Sequence, residues 1–292
     1  MVRYKKHELG PKVEDRRGQG GRRPGLAIGG GAGILALIIA LFLCGGGGGG
    51  LEEILEQLQP GGQVSTPAGT IDPATDPYAE FRDYMNAVYL DNNALWQEIF
   101  EQSGRTDYRV PGFVIFEDFT DSSCGGADER IGPHYCPLDE SIYLDFDFFA
   151  QLRDQFGARG DFAPAYVLSH EFGHHIQTVI GVNERVRELQ QENPGQSNDL
   201  SVSMELQADC FAGVWASTLR VATGSGANIE LDPGEILEAI EAAEAVGDDR
   251  IQAQAQGQVN PETWTHGSSA QRSQWFTTGY DAGDPAACDT FS

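Results

Sequence analysis

The nine residues Ser169-His170-Glu171-Phe172-Gly173-His174-His175-Ile176-Gln177, SHEFGHHIQ in one-letter form, hold three of the six histidines in a chain of 292 residues. Read as a helix, the stretch places His170 and His174, four residues apart, on one face about 6 Å apart along the axis. From there two imidazoles can converge on a single ion. Glu171 lies about 100° round from His170, where its carboxylate reaches an ion-bound water without itself ligating. This is the H-E-x-x-H arrangement, in which zinc lowers the pKa of a water and the glutamate takes its proton.

The flanks agree with a buried helix. Val167, Leu168, Phe172, Ile176, Val179 and Ile180 supply apolar surface, Pro164 sits in the first turn and Gly181 ends the run. Gly173 costs helix stability, so its presence predicts close approach of another backbone segment. His175 points away from the pair and is read as a packing residue.

Two histidines leave zinc short of ligands. An H-x-x-G-x-x-H continuation fails, because Gln177 and Ile180 stand where glycine and histidine are required. Downstream, MELQADCFAGVW carries Glu205 and Asp209 at helical spacing. Glu205 can supply the third ligand, and Asp209 can accept a hydrogen bond from the far ring nitrogen of a ligating histidine. The alternative is a solvated acidic face; Leu206, Cys210, Phe211 and Val214 favour a buried helix, where acids need partners. If the water activated by an H-E-x-x-H centre attacks a carbonyl, a donor for the developing oxyanion is also needed. His266 and Tyr143 are the candidates, with a capping or packing role as the alternative for His266.

Around this centre the pattern is helix-rich. Helices are expected within 78–102 (one or two), over about 146–156, around the SHEFGHHIQ stretch, over about 200–219 and over 236–246. The last is capped by Asp232, with Glu235 in the third position; Ser268 and Gln271 make a further capped start. Strands are expected at Phe113–Phe116 and Ser141–Asp145. The fold class is α+β with a small sheet, and a substrate strand is expected along the edge of the sheet containing Tyr143.

Charge divides the chain. Before Gly25 there are eight Lys and Arg against three acids, whereas from Leu51 eleven arginines and no lysine face 41 acids. Such an acidic domain repels phosphates, so nucleic-acid binding is excluded. Between the two lies Gly25–Cys44, twenty residues without charge, about 30 Å long as a helix and long enough for one membrane span. By the positive-inside rule the basic residues 1–24 form a cytoplasmic tail, Gly45–Pro77 is a tether, and the domain 78–292 lies outside the cytoplasm of a single-pass membrane protein. Outside the span there are four cysteines, which permit three pairings. Cys124 with Cys136 and Cys210 with Cys288 are expected, with unpaired thiols as the alternative.

Taken together, VEDRRG, HEFGHHIQ, ELQADCFAGVW, GDDR, THGSSAQR and CDTF resemble the bacterial putative neutral zinc metallopeptidase family over nearly the whole chain. The resemblance implies a zincin-like fold, one zinc ion held by His170, His174 and Glu205, Glu171 as catalytic base, and a peptide or protein substrate. His134, in GPHYCP, departs from the aromatic residue expected there. The competing reading is a zinc-stabilised binding or scaffold domain without turnover.

Overall fold

The computed structural model describes residues 2–18, 71, 75–128, 132–149, 160, 162–221, 229–231 and 234–292. The expected span Gly25–Cys44 and the tether up to residue 70 lie outside the described residues, as does Asp232. Among the described residues no helix is long and apolar enough to cross a membrane.

The strands are β1 (Arg3–Tyr4), β2 (Val13–Asp15), β3 (Gly112–Phe116), β4 (Phe119–Ser122), β5 (Gly125–Asp128), β6 (His134–Cys136), β7 (Ser141–Asp145) and β8 (Ile229–Glu230). The helices are α1 (Ala79–Gln102), α2 (Ala163–Ile180), α3 (Val182–Glu192), α4 (Ser197–Val221), α5 (Glu235–Ala245), α6 (Asp248–Gln256) and α7 (Ser269–Ala282). The architecture is α+β. The main sheet has the order β2-β3-β7-β6, with β2, β3 and β7 parallel and β6 antiparallel at one edge. A β4–β5 hairpin and a β1–β8 ladder stand apart from it.

Side-chain alternation along the central strands divides the apolar groups between two faces. Phe113, Ile115, Ile142 and Leu144 join the main core with the helices, while Val114, Phe116, Cys136 and Tyr143 form a second cluster. Helix α2 fills the middle of the main core: fifteen of its eighteen residues are buried, and it packs on α1, α4, α5 and the sheet. A Cβ added at Gly173 would lie 2.8 Å from the Cα and 2.9 Å from the carbonyl oxygen of Ala208, so α2 and α4 meet backbone to backbone. The helix-weakening glycine is therefore the contact that lets the two helices share one site.

Both disulfides form as expected, Cys124 with Cys136 and Cys210 with Cys288. Cys210–Cys288 joins the C-terminal segment to α4. The Ser268–Gln271 capping box is complete at the start of α7, with the Ser268 oxygen accepting from the Gln271 amide. The start of α5 differs: Gly234 occupies the cap, without a side-chain bond. Of the helix expected over 146–156, the described residues 147–149 are helical.

One departure concerns the N-terminal end of the domain. Residues before Gly18, expected as a tail separate from the domain, supply β1 and β2 and pair with β8 and β3. At one edge of the main sheet, His134–Cys136 of β6 pair with Tyr143, Ile142 and Ser141 of β7.

Candidate metal centre

His170 and His174 rise from α2 with their Nε2 atoms turned toward Glu205 on α4, because the other nitrogen of each ring is engaged behind. His170 Nδ1 lies 2.8 Å from Asp209 Oδ1, and His174 Nδ1 lies 2.9 Å from Gln177 Oε1. With both Nδ1–H groups donating, the Nε2 lone pairs face forward. His170 Nε2 is 3.2 Å from Glu205 Oε2 and His174 Nε2 is 3.4 Å from Glu205 Oε1. Donor atoms of the three residues all lie within 4.8 Å of one another. Tetrahedral ligands with bonds of about 2.0–2.1 Å sit roughly 3.3 Å apart, so the donor set fits a zinc-sized cation.

Behind the donors lies a saturated carboxylate. Asp209 is fully buried and accepts from the Tyr166 hydroxyl at 2.6 Å and from Arg272 Nε and Nη2 at 2.8 and 3.0 Å, besides His170. Burial alone would raise its pKa, but the Arg272 guanidinium and His170 hold it below the usual carboxylate range. Arg272 itself, 4 % exposed, is kept charged by Asp209. Gln177 is held in turn by donating to the Met204 carbonyl at 2.7 Å and to Gln207 Oε1 at 3.2 Å. Asp209 thus accepts from the His170 ring at the nitrogen turned away from Glu205. Gln177, met in the sequence only as a mismatch to a longer histidine motif, does the same for His174; its i+3 spacing was the available signal.

The electrostatics favour a cation. Burial opposes charge on His170, yet Asp209 and Glu205 push its pKa up to about 10. Burial likewise works against Glu205, but His174 and His170 hold it well below the usual range. A metal must displace protons from such a set, so its binding releases protons and weakens as pH falls.

The donors open onto a cleft of about 480 Å³ lined also by Glu171, Met204, Arg272, His266, and His134 and Tyr135 of the edge strand. Glu171 is 7 % exposed and stands beside the donors without being one of them. His266 reaches the cleft from the loop before α7. The fully buried Asp248 carboxylate holds that loop, accepting the backbone amides of Thr265, His266 and Gly267 at 2.8, 2.7 and 3.1 Å, and lies 3.3 Å from His266 Nδ1. Tyr143 is not brought to the cleft. Its ring packs in the second cluster against His134, centroids 5.1 Å apart, and its hydroxyl donates to Asp139. Because Ile142 and Leu144 face α2, strand alternation turns Tyr143 to the opposite side.

His175 is fully buried and ties α2 to the sheet: Nε2 lies 2.5 Å from the Arg109 carbonyl and Nδ1 lies 3.1 Å from the Tyr135 hydroxyl. A neutral ring satisfies both, donating to the carbonyl and accepting from the tyrosine. Burial lowers its pKa from 6.5 to about 4. The folded form therefore resists a proton that the unfolded chain takes up below pH 6.5, and stability present above that pH is lost as pH falls toward 4. The loss is on the order of 3 kcal/mol. The unfolding free energy of His175→Gln should fall less steeply over this window than that of the natural chain; equal slopes would refute the assignment.

Two neighbouring helices, one carrying the HExxH stretch and the other Glu205, thus bring together three side chains that could hold one metal ion. The chain belongs to the family described as "Putative neutral zinc metallopeptidase", whose model matches residues 2–291. It is 40% identical over 295 residues to "Uncharacterized protein YpfJ" of Escherichia coli, covering 99% of each chain. It is also 46% identical over 205 residues to "Uncharacterized protein Mb2605" of Mycobacterium bovis and to "Uncharacterized protein Rv2575" of Mycobacterium tuberculosis, covering 68% of this chain and 67% of each relative. No solved structure matches the chain significantly.

Proposed function

We propose that the chain is a zinc-dependent peptidase acting outside the cytoplasm. The observation that carries the reading is the His170–His174–Glu205 donor triangle opening, with Glu171 beside it, into a cleft lined by His134 and Tyr135 of the edge strand β6. A zinc ion held by these three side chains would supply Lewis-acid polarisation of a carbonyl and acidification of a water. The protein does the rest. Glu171 takes the proton of the attacking water and returns it to the leaving amine. Asp209 and Gln177 keep the two imidazoles turned toward the cation, and Arg272 keeps Asp209 ionised. A substrate strand lies along the outer edge of β6, whose His134 and Tyr135 line the cleft. The two disulfides suit an oxidising compartment, and the uncharged stretch Gly25–Cys44 provides attachment to the membrane.

The zinc-loaded chain should cleave an unfolded protein or a mixed peptide library, and a chelator should abolish the cleavage reversibly. Intact peptides in the presence of bound zinc would refute the reading.

His266, anchored through Asp248, is assigned as the donor to the carbonyl oxygen. His266→Ala is expected to lower turnover about 10²- to 10³-fold, the loss typical of one oxyanion donor, with zinc content intact. Unchanged turnover would remove His266 from the mechanism.

A further inference from the structure

The first anchored residues of the chain are built into the same body as the metal centre. Val2 is buried; β1 pairs with β8 through Arg3 with Glu230 and Tyr4 with Ile229; and the Tyr4 hydroxyl donates to the Glu80 carbonyl of α1 at 2.8 Å. The fully buried Asn86 of α1 then grips the strand connection from both sides, accepting from the Gly10 amide at 2.9 Å and donating to the Glu8 carbonyl at 3.0 Å. Strand β2 completes the main sheet, Val13, Glu14 and Asp15 standing opposite Phe113, Val114 and Ile115.

The last anchor before the interval 19–70 is Arg17. Its side chain is 2 % exposed and its guanidinium lies 5.0 Å from the Phe146 ring centroid. It binds Asp15 at 2.7 Å and Asp76 at 2.8 Å. Asp76, whose side chain is 1 % exposed, stands just before α1. The chain therefore leaves the domain and returns to it at two residues whose side chains touch. A passage across a bilayer would separate those residues by the hydrocarbon core, about 30 Å thick, and would put β1 and β2 on the face opposite β8 and β3. Desolvating Arg17 and Asp76 is tolerable because they pair with each other, with Asp15 and Arg82 as further partners.

We infer that residues 2–18 and the metal-site domain lie on the same side of the membrane, with the Arg17–Asp76 pair closing the interval between them, so that Gly25–Cys44 does not carry the chain across once. This replaces the single-pass arrangement with a cytoplasmic N-terminus that charge alone suggests: the positive-inside rule weighs the basic residues of the first segment, but Arg17 and the backbone of β2 are spent on the fold. The inference does not use the peptidase chemistry.

The test uses the full chain in a bacterial host, with Cys44→Ser and one reporter cysteine at a time, at exposed Lys5 or exposed Leu237. Spheroplasts are treated with a membrane-impermeant maleimide before or after lysis; the four disulfide cysteines stay silent. Both reporters should label to the same extent before lysis. Labelling of Leu237→Cys before lysis but of Lys5→Cys only after it would overturn the inference. If both label only after lysis, the shared side stands and the placement outside the cytoplasm fails. As a check free of substitutions, the purified natural chain in detergent is cut after Glu52, Glu53 or Glu56. The N-terminal fragment should co-elute with the domain until denaturant is added, whereas its release in native buffer would contradict the docking.

Discussion

Replacing Glu171 by Gln is expected to reduce peptide turnover by about 10²- to 10⁴-fold, the range lost with a general base, while zinc content and thermal stability stay those of the natural chain. The side chain keeps its size and its place on α2, but an amide cannot take a proton from water. Glu171 is not among the three clustered donor residues, so metal retention is the second half of the expectation and makes the first half informative. Turnover at the natural level would remove Glu171 from catalysis. A variant that keeps binding a partner while the natural chain shows no turnover would favour the scaffold reading.

Glu205→Ala should have the other large effect, of a different kind. It removes the one carboxylate that faces both imidazoles, 3.2 Å from His170 Nε2 and 3.4 Å from His174 Nε2. Zinc affinity should fall by more than the 10- to 100-fold typical of losing a partner behind a ligand, and turnover should go with it. Because a cation bound only by the folded state stabilises it by about 4 kcal/mol at a thousand times its Kd, the natural chain should gain melting temperature on adding zinc and Glu205→Ala should gain little. An equal rise in the variant would mean that the stabilising zinc sits elsewhere.

What could be read from the sequence is what depends on local spacing. The four-residue separations in SHEFGHHIQ and in MELQADC fix which side chains share a helix face, and the structure sets those two faces opposite each other across the Gly173–Ala208 contact. The capping box at Ser268 and the limits of α2 are equally local. Tyr143 was legible in principle: the alternation in Ser141–Asp145 turns it away from α2 once Ile142 and Leu144 are assigned to the core. The roles of Arg272 and Asp248 were not legible, since each meets its partners only when distant elements pack. Asp209 and Arg272 are joined through the contact of α4 with α7. Strands β1 and β2 escaped for another reason: with two and three residues they carry no periodicity, and their partners β8 and β3 lie far along the chain. A surplus of basic charge could not reveal that Arg17 is buried against Asp76.

The central claim is a single cation held jointly by α2 and α4, and anomalous scattering at the zinc edge from crystals grown with one equivalent of zinc tests it most directly. One peak is expected, at about 2.0–2.2 Å from His170 Nε2, His174 Nε2 and a Glu205 carboxylate oxygen, with the side facing Glu171 open to the cleft. A peak bound elsewhere, or none between these three residues at saturating zinc, would contradict the account.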